Sequence, residues 1–243
     1  MIELKMKYTS VLLLLLLSVS LKAQQLGQNA LQDLYQNVLH PSDILLNGRE
    51  YIYYFSPQKS TPLIPKDSEP SASVLIRKKL VQNVVLMYDT YKDLVVYYNP
   101  HNPYNDKVST IILNSHTIEE FTLLLPSGKA RFRYLTFPED QGVTLGSGFY
   151  EIVSEGACTF IINHHAIKNT RDGVVMYHYK TEGYILSSGA IYKIKGKKSL
   201  LRALSDQYTE VSSYLQRAKI EVKRADKEQI KAVLDYYTGL KNL

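Results

Sequence analysis

The chain contains one cysteine and no tryptophan among its 243 residues. Because a disulfide needs two cysteines, the chain has no internal disulfide, and its core must hold through packing alone. Cys158 is followed by residues 159–162, a run that is typical of a strand. We interpret Cys158 as a buried, inert thiol, because a nucleophilic cysteine needs a polar environment that activates it.

A hydrophobic run long enough to span a membrane is also missing. Residues 11–17 form an apolar run of seven residues, whereas a membrane helix needs about 20. Lys5 and Lys7 precede the run and Ala23 follows it, which is the order of a secretory signal peptide. Residues 1–23 are therefore predicted to be a signal peptide cleaved after Ala23, with an uncleaved membrane anchor as the alternative. The mature protein is predicted to lie in the periplasm or at the cell surface, without spanning the membrane.

The excess of positive charge is small and is spread along the chain. The formal net charge is +6, and it falls to +4 without the predicted signal peptide, which holds three lysines and one glutamate. The densest basic clusters are at residues 77–79 and 193–198. We interpret them as solvated sheet edges, with contact to an acidic lipid or glycan as the alternative. Export makes a nucleic-acid partner implausible.

The local motifs of common catalytic, metal and cofactor sites are absent. Gly146-Ser147-Gly148 lacks the spacing of a serine-hydrolase elbow, and no Lys-Ser/Thr follows it as in a phosphate loop. The tandem pair His164-His165 cannot coordinate one metal ion if it lies on a strand, because adjacent side chains of a strand point to opposite faces. We expect surface or turn histidines, no metal, no cofactor and no identifiable catalytic residue.

Carboxylates leave a catalytic alternative open. Glu151 lies between Tyr150 and Ile152 inside a predicted strand, so it is harder to dismiss than acids that fall in turns. We favour the interpretation that this side chain is solvated or ion-paired. A hydrolase that acts on glycan or peptide through Glu151 or His164 is the alternative.

The order of patterns predicts an α+β chain that is mainly β. Residues 24–43 suggest a short N-terminal helix, and residues 56–73 form a Pro-rich loop, either a flexible insertion or an ordered arm across the sheet. Residues 44–197 carry short apolar runs separated by turns, without crossover helices, which predicts a curved antiparallel β-meander or barrel-like body. The alternation in residues 131–134 places two rings on one face and two guanidinium groups on the other.

The last part of the chain, residues 198–243, changes to a helical period. Ser199 is expected to cap the first of two or three short helices. A second helix is expected to carry Tyr208, Val211, Tyr214 and Leu215 on one stripe. Asp226 and Gln229 have the spacing of a capping box, which predicts that another helix starts at this point.

Five short stretches occur along the chain in the order in which they are expected in a known group of proteins. They are Asn47-Gly48-Arg49-Glu50-Tyr51, Val84-Val85-Leu86-Met87-Tyr88-Asp89 leading to Asp93-Leu94-Val95, Gly148-Phe149-Tyr150-Glu151, Lys197-Lys198-Ser199-Leu200-Leu201 and Leu234-Asp235-Tyr236-Tyr237. The chain resembles a group of uncharacterised exported envelope proteins of Gram-negative bacteria. The resemblance implies an envelope setting and a β-then-helix layout, and it implies no activity, cofactor or catalytic residue.

These observations favour a non-enzymatic binding or interaction module, with an envelope protein, a glycan or an apolar ligand as its partner. A carrier of an apolar ligand inside the β body is a further alternative. The predicted binding face consists of aromatic residues, since rings of this type stack on ligands. Its members are Tyr97, Tyr98, Tyr104, Phe149, Tyr150 and Tyr177.

Overall fold

The computed structural model describes residues 44–54, 59–65, 71–99, 109–125, 128–137 and 145–242. The predicted signal peptide (1–23) and the predicted N-terminal helix (24–43) lie outside these residues. The chain divides into two compact units, Met1–Leu45 and Leu46–Leu243. In the first unit only Ile44 and Leu45 are described, and they form a turn.

The described strands of the second unit form one sheet in which every neighbouring pair is antiparallel. They are β1 (Arg49–Glu50), β2 (Leu63–Ile64), β3 (Ser71–Ile76), β4 (Lys79–Asp89), β5 (Leu94–Asn99), β6 (Ser109–Ile112), β7 (Ile118–Leu125), β8 (Gly128–Leu135), β9 (Gly148–Glu155), β10 (Thr159–Arg171), β11 (Val174–Ser187) and β12 (Ala190–Lys193). Their order is β1-β6-β5-β4-β3-β7-β8-β9-β10-β11-β12, and β2 pairs with β4. This confirms the predicted antiparallel, mainly β class.

The sheet is strongly curved but open. Five steps separate β4 from β10 in the strand order, and a flat sheet would place them about 24 Å apart. Instead the Ala166 N–H of β10 donates to the carbonyl of Thr90, directly after β4, at 3.1 Å. One hydrogen bond does not make a β-ladder between β4 and β10. Among the described strands the sheet is therefore open, and the predicted barrel-like body is not closed.

Part of the predicted Pro-rich loop is an ordered arm. Residues 59–65 contain β2, which pairs with the end of β4. At the other end of the arm, the Lys59 N–H donates to the carbonyl of Val175 on β11 at 3.1 Å, and Ser60 exchanges two hydrogen bonds with the backbone of Tyr177. The arm therefore bridges β4 and β11 where the curled sheet comes back on itself.

The concave face of the sheet is lined by aromatic rings. Tyr88, Phe121, Phe132 and Phe149 are almost fully buried, and their centroids lie 4.8–6.2 Å apart. Phe132 belongs to the predicted alternating segment 131–134. Its neighbours Arg131 and Arg133 point the other way and pair with Glu155, so that prediction is confirmed.

Three helices follow the sheet: α1 (Lys197–Ala203), α2 (Tyr208–Arg217) and α3 (Lys227–Lys241). The Asp226–Gln229 capping box is confirmed at the start of α3. The Ser199 prediction is wrong, because α1 starts two residues earlier and Gly196 is its N-cap. No helix in the described ranges has the length and apolar character needed to cross a membrane.

The helices bury their apolar sides against the last strands of the sheet. Val211 and Leu215 of α2 are buried, whereas Tyr208 is 56% exposed and does not join them. Phe160 and Ile162 of β10 belong to the same core cluster as the helical side chains. This packing places the start of α3 beside the polar residues of the concave face.

Candidate functional site

Glu151 is a buried carboxylate on the concave face of the sheet. It lies on β9 opposite Phe132 of β8 and Ile162 of β10, and its side chain is 4% exposed. A buried carboxylate costs free energy unless partners satisfy it. The interpretation of Glu151 as ion-paired is confirmed, because both of its oxygens have partners.

His164 supplies the first partner of Glu151. It follows Ile162 on the same face of β10, and its Nε2 lies 2.7 Å from Glu151 Oε2. Because an ionised carboxylate only accepts hydrogen bonds, Nε2 is the donor. The imidazole is 6% exposed and meets the Phe132 ring edge to face at 5.2 Å. The prediction of surface or turn histidines is wrong for this residue.

Lys227 supplies the second partner from a distant part of the sequence. It is the first residue of α3, and its Nζ lies 2.6 Å from Glu151 Oε1. The Asp226 cap fixes where the helix starts, since the Asp226 carboxylate accepts the Gln229 N–H at 2.8 Å. The cap therefore sets the position from which the ammonium group reaches the sheet.

The pKa of Glu151 reflects two opposing effects. Burial by itself raises the pKa of the carboxyl, but the hydrogen bonds from His164 and Lys227 outweigh it and lower the pKa below its ordinary value. Glu151 is therefore ionised at neutral pH. A buried carboxylate held ionised by two donors is a common feature of functional sites and of structural ion pairs alike.

Tyr179 completes the polar cluster. Its hydroxyl contacts Nδ1 of His164, the ring nitrogen that faces away from Glu151. Burial and then the charge of Glu151 raise the pKa of Tyr179 to about 12. The hydroxyl keeps its proton at neutral pH, so it is not an activated nucleophile.

The four side chains Glu151, His164, Tyr179 and Lys227 line a cavity of about 540 Å³ between the sheet and the start of α3. Along β10 its wall changes from Phe160 and Ile162 to His164. Ile194, Val222 and Ile230 add apolar wall, and the exposed Lys223 and Asp226 stand at its rim. The cavity therefore has an apolar part and a charged part.

The predicted aromatic binding residues are placed mostly in the core. Tyr97, Phe149, Tyr150 and Tyr177 are 1–7% exposed, Tyr98 is half-buried, and Tyr104 lies outside the described residues. Phe149 and Tyr150 point to opposite faces, and Tyr177 packs on Tyr54 at 5.2 Å. Buried rings cannot meet a partner without rearrangement. Their binding role stays a prediction, and the cavity carries the functional argument instead.

A second buried carboxylate, Asp89, is fully engaged in structure. It accepts the hydroxyls of Tyr51 and Tyr54 at 2.9 and 2.6 Å and the backbone N–H groups of Tyr91 and Lys92. The two tyrosine bonds anchor the segment before the arm to the end of β4, and the two backbone bonds hold the turn that follows β4. Asp89 does not line the cavity onto which Glu151 opens.

Sequence reasoning identified Glu151 and His164 but not the residues that complete the cluster. Lys227 is 76 residues from Glu151, and a capping box shows where a helix starts without showing where it docks. His165, the neighbour of His164, points away from the cluster as the strand geometry requires. Within the described ranges, no three His, Cys, Asp or Glu side chains converge to hold a metal ion.

No family model matches the chain, and none of the curated proteins or solved structures compared with it is similar. The function is therefore argued from the cavity itself.

Proposed function

We propose that the protein is an exported envelope protein that binds a small amphipathic ligand in the cavity between β9–β11 and α3, without catalysing a reaction. The observation that carries this proposal is the ion-paired Glu151 at the charged part of a cavity whose remaining wall is largely apolar. The basic, apolar and small-residue order of residues 1–23 supports export.

The size of the cavity suits such a ligand. Small-molecule sites are typically about 300–1,000 Å³, mostly apolar, with a few polar groups that orient the ligand. The cavity of about 540 Å³ lies in this range. Phe160 and Ile162 would contact the apolar body, and the hydroxyl of Tyr179 and the ammonium group of Lys227 would orient the polar head.

The arrangement favours binding over catalysis. Each titratable member of the cluster already contacts another member, and the raised pKa of Tyr179 opposes its use as a nucleophile. A catalytic histidine needs one nitrogen available to substrate. Here Nε2 of His164 binds Glu151, and Nδ1 contacts Tyr179.

The test fills the cavity with a new side chain. Thr181 is an exposed residue of β11 that lines the cavity, so Thr181→Trp places an indole there without removing a core contact. Wild type purified after expression with its own N-terminal segment is expected to retain a small molecule, detected by native mass spectrometry. Thr181→Trp is expected to lose it.

Thr170→Trp is the matched control, since Thr170 is an exposed threonine near the far end of β10. It should retain the molecule. Because the chain has no tryptophan, each variant carries a single indole, and fluorescence should show a buried ring only in Thr181→Trp. A wild type without bound molecule, or equal retention by both variants, would refute the proposal.

A hydrolase is the second candidate, favoured by the order carboxylate, imidazole, hydroxyl in Glu151, His164 and Tyr179. It predicts turnover of ester, glycoside or peptide substrates that disappears in His164→Asn. Our proposal predicts no turnover by wild type above that of His164→Asn.

A further inference from the structure

A second depression is formed by α1 and the residues on either side of it, and several of its lining residues are cationic. It has a volume of about 780 Å³, and its wall includes Lys195, Lys197, Lys198, Arg202 and Tyr208. Residues 195–202 contain four cations and no acid. All four cationic side chains belong to exposed residues. We call this set the α1 basic surface.

Ion pairs with other described residues do not neutralise the cations of the α1 basic surface. Within the described residues, none of the four has an ion-pair partner, although nearby charges do: Lys193 pairs with Glu182 at 2.6 Å and Asp206 pairs with Lys241 at 2.8 Å. Four unpaired cations on one short segment repel one another. An anionic partner relieves that repulsion.

The backbone that carries these side chains is held in place by Ser199. The hydroxyl of Ser199 accepts the N–H groups of Lys195 and Gly196 at 2.8 and 3.0 Å, and it donates to the carbonyl of Gly196 at 2.7 Å. Arg202 lies over the ring of Tyr192, 5.9 Å from its centroid. The cations therefore project from a rigid turn and the first turns of α1.

Tyr208 distinguishes a lipid surface from a soluble polyanion. Its ring is 56% exposed at the rim of the depression. Tyrosine rings favour the level of the lipid headgroups, where the apolar ring and the hydroxyl are both accommodated. Clustered Lys and Arg side chains bind the phosphates of the same region.

We propose that the α1 basic surface binds the phosphate headgroups of an anionic bilayer, with Tyr208 in the headgroup layer. This contact is separate from the ligand cavity, and it does not depend on what the cavity binds.

The test is co-sedimentation of the full chain with vesicles of phosphatidylcholine, with and without phosphatidylglycerol. We expect binding only with phosphatidylglycerol, and weaker binding as salt is raised. Each cation near such a surface contributes about 5-fold in affinity, so Lys197→Gln/Lys198→Gln should weaken binding about 30-fold. The control Lys129→Gln/Lys168→Gln removes two exposed lysines of the sheet and should leave binding unchanged.

Tyr208→Ser tests whether the surface binds a lipid bilayer in preference to other anions. It should weaken vesicle binding and leave the folded structure intact, because the ring is mostly exposed. Three outcomes overturn the proposal: no binding to anionic vesicles, equal loss in both lysine pairs, or binding of dextran sulfate or inorganic phosphate as tight as that of vesicles and unaffected by Tyr208→Ser.

Discussion

Replacing Glu151 by glutamine tests the cluster that defines the cavity. The amide has nearly the same shape as the carboxylate but no charge. Its single oxygen can accept from His164 or from Lys227, whereas its NH₂ group points donors at the other partner. Glu151→Gln therefore removes the charge, and it either sets the amide NH₂ group against a donor or requires the imidazole of His164 to take its other tautomer.

The expected loss of stability follows from the exposure of the partners. Breaking a buried ion pair by removing one member costs about 3–5 kcal/mol. The Lys227 side chain is 20% exposed, so its ammonium group can turn toward water and recover part of its hydration. We expect the free energy of unfolding at neutral pH to fall by about 2–3 kcal/mol. This corresponds to a urea midpoint lower by about 1 M.

The same loss must depend on pH in a defined direction. The pKa of Glu151 is lowered in the folded protein, so its stabilising contribution is complete above the ordinary carboxyl pKa. The contribution disappears as pH falls through the lowered folded-state value. The difference between wild type and Glu151→Gln should therefore be largest near neutral pH and shrink as the pH falls below the ordinary carboxyl pKa.

Urea unfolding followed by circular dichroism measures both quantities. Glu50→Gln is the matched control, because Glu50 is exposed on the edge strand β1, and its effect should stay within about 0.5 kcal/mol. An equally small effect of Glu151→Gln, or a large effect that does not change in acid, would show that the Glu151 charge does not stabilise the cluster.

Three further outcomes follow from local geometry. Gly48→Ala should cost about 1–3 kcal/mol in urea unfolding, since its Cβ would lie 2.2 Å from the carbonyl oxygen of Ile112; an unchanged midpoint contradicts this. Asp226→Ala should cost about 1 kcal/mol by removing the cap of α3, and Asp226→Asn should keep most of that stability; equal losses contradict the capping role. Burial raises the pKa of Cys158 to about 11, so a thiol reagent at mildly alkaline pH should react far more slowly with the native protein than in urea, and equal rates contradict the burial.

The secondary structure was largely predictable because its signals are local. Alternation in residues 131–134 and the spacing of Asp226 and Gln229 each depend on a few neighbouring residues. The curl of the sheet could not be predicted in the same way. It depends on contacts such as Thr90 with Ala166, which are far apart in sequence and carry no pattern of their own.

The face on which Glu151 and His164 meet was beyond sequence reasoning for a related reason. β9 and β10 pair with a register shift between Phe160 and Ile161. A slip of one residue sends every following side chain to the opposite face. Without the position of that irregularity, the sequence could not tell whether His164 points to Glu151 or to solvent.

The ion pair between Lys227 and Glu151 also bears on the order in which the chain can complete its fold. Glu151 is made 76 residues before Lys227, so the strand that carries the carboxylate emerges during synthesis while its ammonium partner is still to come. Until α3 arrives, a carboxylate on the concave face lacks its cation, and the apolar ends of β10 and β11 lack their cover. The sheet therefore reaches its final packing only after the last helix is present. A chain that lacks α3 would lose more than the contacts of that helix, because the middle of the sheet would be left with an unbalanced charge.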